Sequence, residues 1–209
     1  MLLFLLQAFI ISLTGVMAPG PVSAVTVGTG TKTPHAGAFI AIGHGIVEFP
    51  LMVLIYYGLG RFLSLDPVKG VIFTLGGLFL LLMGIDMLRS IRSVGTAQSS
   101  HSRTPVITGM LLSIGNAYFI IWWATVGAAL LAKAVAFGIG GVVAFAIIHW
   151  FCDFIWLYLL SAVSFKGRTV LGPVFQQSVF AVSGVFLLFF SGVFLRDAAR
   201  LLAVMAGVR

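Results

Sequence analysis

Gly43-His44-Gly45-Ile46-Val47-Glu48-Phe49-Pro50 and, in the other half of the chain, Ile148-His149-Trp150-Phe151-Cys152-Asp153-Phe154 repeat one pattern, a histidine and an acid four residues apart in apolar sequence. Four residues make about one helical turn, so each pair shares a helix face. A carboxylate at the centre of a membrane helix costs roughly 2.5–3.5 kcal/mol on insertion scales. Such a residue is kept for a purpose. The twin placement predicts an internal repeat whose polar residues meet at one central site.

The surrounding composition decides the solvent. Of 209 residues, 60% are hydrophobic and 8% charged, and the mean hydropathy is +1.17. A soluble domain carries about 25% charge, so this chain cannot cover itself with a water-facing surface. At about 20 apolar residues per span, there is room for five to seven membrane helices. The chain is therefore expected to be one integral membrane domain over 1–209. Its net charge of +7 belongs to cationic residues flanking the spans and contacting lipid headgroups, not to nucleic-acid binding. Cys152 is the single cysteine, which excludes an intramolecular disulfide and any Cys-x-x-Cys redox centre.

Six apolar segments are predicted, at about 2–27, 37–63, 69–88, 105–131, 135–163 and 175–195. The first lacks a basic n-region and is read as a retained helix, not a signal peptide. Alternating β-barrel strands are not seen, so the segments are helices. The longest polar stretch, from Arg89 to Thr104 with His101 and Arg103, divides the chain into halves of 1–100 and 101–209. The two histidine–acid pairs are 105 residues apart. Gly77 to Arg89 in the third segment resembles Gly184 to Arg196 in the sixth, at a spacing of 107. Two tandem three-helix units must insert in opposite orientations, which predicts an inverted repeat of the secondary-transporter kind. Basic residues give no orientation, because six fall on each side.

Pro19-Gly20-Pro21 interrupts the first helix, since proline lacks an N–H and clashes with the preceding turn. Backbone freed at membrane depth is tolerated only where protein or a water-filled cavity satisfies it, so this break is a candidate site lining. The pairs His44/Glu48 and His149/Asp153 can exchange protons and hold an ammonium group. Two histidines and two acids could instead ligate a divalent cation, which would make the chain a metal exporter. Asn116, the only asparagine, is expected within the fourth helix with its amide paired to another helix or to substrate. Trp150 and Trp156 read as packing residues, and Asp86 as a boundary ion pair with Arg89. Gly37, Ala41 and Gly45, four residues apart, make a flat close-packing face. No His-Glu-x-x-His, Gly-x-Ser-x-Gly or phosphate-binding glycine loop is present, so neither an enzyme nor a nucleotide-driven pump is indicated.

Several of these motifs are familiar in combination. Pro19-Gly20-Pro21 followed by Gly28, Gly30 and Gly37, the Gly76–Gly84 run, Gly115-Asn116-Ala117-Tyr118 and Asp153 in the fifth helix resemble, in order, the lysine-exporter (LysE/RhtB) family of amino-acid efflux proteins. The resemblance covers essentially the whole chain. It implies an exporter of five or six spans in the plasma (inner) membrane, coupled to an ion gradient. By position it also implies that the Pro19–Pro21 break, Glu48, Asn116 and Asp153 carry the site. Ala117 stands where the family typically has proline, so the fourth helix is expected to be less broken. The histidine partners of the acids are not a family hallmark.

The combined expectation is an all-α integral membrane protein of about six transmembrane helices in two inverted three-helix repeats. It would be a multi-pass secondary exporter of amino acids or similar small solutes, coupled to protons. Its site would comprise Pro19, Gly20, Pro21, His44, Glu48, Asn116, His149 and Asp153, with no resident metal or cofactor. A small-molecule substrate, a coupling ion and membrane lipid are the partners, with a homodimer as an open arrangement.

Overall fold

Among the residues described by the computed structural model, which are 1–17, 20–63, 65–93 and 104–205, the chain is helical without a strand. The first segment is two helices, α1 (Leu2–Val16) and α2 (Pro21–Gly30), bent by 72° across the break between them. Pro21 opens α2 at its first turn, where a missing N–H costs nothing. α3 (Ala36–Tyr56) carries Pro50 inside it. A short α4 (Leu59–Leu63) leads into α5 (Asp66–Ser90). Most of the polar stretch between the halves, including His101 and Arg103, lies outside the described residues.

The second half also starts with a broken helix. α6 (Pro105–Ile114) stops at Gly115, and α7 (Ala117–Trp122) restarts after Asn116, whose backbone is extended at φ −95°, ψ 98°. The expectation of a less broken fourth helix is therefore corrected. Proline is not needed, because the Asn116 side chain caps α7 by accepting from the Tyr118 N–H at 3.1 Å. Asn116 is accordingly a helix cap and not a mid-helix amide. A π-helical turn (Trp123–Gly127) joins α7 to α8 (Ala128–Val135), a local widening common at functional sites. Residues Gly138–Met205 continue as helix, broken at Gly172 (φ 73°, ψ −161°) just before Pro173. This gives α9 (138–171) and α10 (173–205), both longer than the sequence segments 135–163 and 175–195.

Four stretches, Ala36–Tyr56, Asp66–Arg89, Ala117–Val135 and the divided Gly138–Met205, are long and apolar enough to cross a bilayer, and the bent α1–α2 pair adds another if taken as one span. Large apolar side chains such as Leu75, Leu82, Ile139, Ile155 and Phe189 are exposed. That suits a surface solvated by lipid, where apolar exposure carries no penalty.

Backbones approach closely where glycine permits it. A Cβ on Gly37 would collide with the Leu157 carbonyl, one on Gly43 with that of Val106, and one on Gly109 with that of Ile40. α9 and α6 thus clamp α3 from two sides. The face predicted from Gly37, Ala41 and Gly45 is the one α9 covers, and the Trp150 indole donates to the Ala41 carbonyl at 3.1 Å. α5 and α10 pack antiparallel. Gly77 meets Leu195, Gly184 meets Leu88, and Ser191 Oγ donates to the Gly77 carbonyl at 2.8 Å. One apolar core, with Phe4, Met52, Trp123 and Phe145, lies among α1, α3, the π turn and α9. A second, with Val25, Leu80, Leu112 and Leu187, lies among α2, α5, α6 and α10.

Candidate functional site

Clamping α3 against α9 brings the two histidine–acid turns together at the level of the helix breaks. His149 Nε2 lies 3.1 Å from Glu48 Oε1 and 3.6 Å from Asp153 Oδ2. His44 Nε2 lies 3.5 Å from Glu48 Oε1 and 3.9 Å from Asp153 Oδ1. Each acid therefore faces the histidine of its own helix and that of the other. All four are buried, Glu48 completely. The Trp123 indole adds a donor to Glu48 Oε1 at 3.2 Å.

The outer nitrogen of each imidazole is held by a serine from the broken helix of the opposite half. His44 Nδ1 contacts Ser113 Oγ at 2.6 Å, and His149 Nδ1 contacts Ser12 Oγ at 2.8 Å. The two serines are not equivalent. With its one hydroxyl proton on the Gly109 carbonyl at 2.7 Å, Ser113 accepts from His44, which in that arrangement carries a proton on Nδ1. A neutral His44 would then turn its Nε2 lone pair toward two carboxylates. That arrangement requires an additional proton, on His44 Nε2 or on a facing carboxylate oxygen. His149 has no such demand, since a neutral ring can donate from Nε2 to Glu48 and accept from Ser12 at Nδ1. With the Ser113 hydroxyl on the Gly109 carbonyl, the quartet thus has a place for one additional proton on the His44 side. Glu48 Oε2 and Asp153 Oδ2 are both buried without a hydrogen-bond partner.

The quartet forms one wall of a pocket that is partly open to the outside. Gly20 and Ser23 from the α1–α2 break and Asn116 and Tyr118 from the α6–α7 break line it, with Phe119, Trp122, Trp123 and Leu157. Of the residues singled out in the sequence, Gly20, His44, Glu48, Asn116, His149 and Asp153 thus border one cavity. Pro21 is buried as the first residue of α2 and is not among the lining residues, and Pro19 lies outside the described residues. Trp150 packs on Phe154 and α3, and Asp86, exposed near the end of α5, does not border the pocket. Ser12, Ser113 and Trp123 escaped the sequence reading. Their signal was positional, for both serines lie within two turns before a helix break, and Trp123 is seven residues beyond Asn116 on the same helical face. A donor atom from each of His44, Glu48 and Asp153 lies within 4.8 Å of the others, close enough to share a cation.

The LysE type translocator family model matches residues 13–198, from the end of α1 through most of α10. The chain belongs to the LysE type translocator family. It is a multi-pass membrane transport protein, and both helix breaks and the whole quartet fall inside the matched region, with Ser12 just ahead of it. Among curated proteins it is similar to the "Putative amino acid efflux protein YcgF" of Bacillus subtilis (strain 168). That protein is 27% identical over 177 residues, covering 82% of this chain and 85% of the relative. No solved structure matches the chain.

Proposed function

We propose that this LysE-family protein exports amino acids, or small solutes of the same zwitterionic kind, across the plasma membrane in exchange for protons. The observation that carries the reading is the His44–Glu48–His149–Asp153 quartet at the wall of a pocket bordered by two helix breaks. The quartet offers carboxylate oxygens to an ammonium group, and the same oxygens can take up the proton that the His44 side demands. Ammonium and proton then compete for one place, which couples their movements in opposite directions. The freed amides at the start of α2, an end with positive dipole character, suit the substrate carboxylate. The amino-acid efflux name of the B. subtilis relative supports this class of cargo.

Alternating access follows from an inverted repeat of residues 1–100 and 101–209, with six spans. Several contacts support it. Gly77–Leu195 and Gly184–Leu88 exchange places under the 107-residue spacing, and so do Gly84 against Gly184 and Ser191 against Gly77. Each histidine of one half is also held by a serine of the other. The three donors near 4.8 Å would accept a divalent ion, but the similarity to an amino-acid efflux protein favours the organic cargo.

The test is efflux from vesicles containing the purified protein, loaded with a mixture of amino acids and subjected to an imposed pH gradient. Efflux should rise with the gradient. Glu48→Gln should abolish that dependence while the folded protein remains in the membrane; unchanged gradient-driven efflux would remove Glu48 from the mechanism.

A further inference from the structure

Given that reading, we infer that the pocket selects zwitterions with a single ammonium group and an uncharged apolar side chain, excluding dibasic and acidic amino acids. The inference rests on how many charged partners the cavity offers. Glu48 and Asp153 are the acids bordering it, and both face the same two imidazoles, so they form one anionic cluster and not two sites. Within that cluster they differ. Glu48 is fully buried and already receives the Trp123 and His149 donors, whereas the Asp153 side chain keeps 11% of its surface open. The histidine nitrogens lie farther from Asp153, at 3.9 and 3.6 Å, and its Oδ2 has no hydrogen-bond partner among the described residues. The asymmetry leaves Asp153 as the place for one ammonium group.

A second ammonium, separated from the first by the length of a lysyl side chain, would meet no carboxylate. Apart from the quartet, the cavity is walled mainly by Tyr118, Phe119, Trp122, Trp123, Leu157 and Val22. Among the described residues that border it, none is lysine or arginine. A side-chain carboxylate would therefore also go unpaired, and burying an unpaired charge is what such a wall rejects most strongly. The same aromatic faces favour one cation close to the quartet and apolar groups beyond it. Trp122 stacks on His149 with centroids 5.0 Å apart, and Phe119 meets His44 edge-on at 4.7 Å, so aromatic surface begins where the charged cluster ends.

The experiment uses vesicles containing the wild-type chain, each loaded with labelled leucine, phenylalanine, glycine, lysine or glutamate under one pH gradient. Leucine and phenylalanine should leave at least about tenfold faster than lysine or glutamate, a discrimination expected where a charge is left unpaired. Glycine, which lacks apolar contact, should fall between them. Trp122→Ala should narrow the leucine-to-glycine ratio severalfold. Lysine or glutamate moving as fast as leucine would overturn the inference while leaving amino-acid export intact. No release of any of the five by folded, inserted protein would overturn the export reading and this inference together.

Discussion

Glu48 Oε1 is held 3.1 Å from His149 Nε2, so the acid of α3 is fixed by the imidazole of α9. Neither residue is complete alone, because Glu48 is fully buried and would be stranded without its donors. Breaking one side of such a pair costs about 3–5 kcal/mol. His149→Ala should therefore lower thermal stability in detergent strongly, whereas His149→Gln, which keeps a donor, should recover most of it. Equal thermal midpoints for the two variants would show that the contact does not hold Glu48.

Trp123 tests the second donor. Trp123→Phe keeps the aromatic packing against Phe145 and His149 but removes the indole N–H that reaches Glu48 at 3.2 Å. A hydrogen bond to a charged group contributes about 1.5–3 kcal/mol. The variant should unfold earlier than wild type and transport more slowly, while helical content by circular dichroism stays the same.

The α3 clamp predicts a steric effect. Gly37→Val and Gly43→Val place carbon against the carbonyls of Leu157 and Val106. Overpacking of this kind costs about 1–3 kcal/mol or more. Both should reduce the yield of monodisperse protein in detergent, whereas Gly140→Val, at a position with open space around it, should not.

Asn116 can be separated into cap and lining. Asn116→Ala should cost about 1 kcal/mol through the lost cap on Tyr118 N–H. Asn116→Asp restores the cap and adds a charge bordering the pocket. Thermal stability recovered with transport still impaired would assign the amide to the substrate. Transport recovered along with stability would make Asn116 a cap alone.

Asp153→Asn removes the open carboxylate without touching the Trp123–Glu48 contact. Gradient-driven efflux should fall below detection, and the thermal midpoint should shift less than in His149→Ala. Efflux persisting near the wild-type rate would move the ammonium site elsewhere.

Much of this architecture could be read from residue order because the bilayer imposes strict rules. Length and apolarity fixed the helices, and Gly37, Ala41 and Gly45 announced the face that α9 covers. The histidine–acid turns could be recognised by spacing alone, since four residues put both side chains on one face. What escaped was set by tertiary packing or by local capping. The Asn116 break depends on a side chain folding back on its own backbone, an alternative to the proline signal. Ser12, Ser113 and Trp123 become informative only when the opposite half is in place, because each serves a residue 69 or more positions away. The ends of α9 and α10 were missed because the polar residues Lys166 and Arg168 sit within the helix, and the interruption is made by Gly172 and Pro173.

Pro50 stands two residues beyond Glu48 inside α3, so the Ile46 carbonyl has no backbone N–H from one turn ahead. On the near side the helix is locked by Gly37, Gly43 and Trp150; on the far side it continues only to Tyr56. The backbone ladder of α3 therefore skips a rung at the turn that carries the buried acid, and the segment beyond is kept in place by Met52 and Ile55 packed in the core. Position of the Glu48 carboxylate is thus set by side-chain packing on either flank of an interrupted turn, not by an unbroken helix.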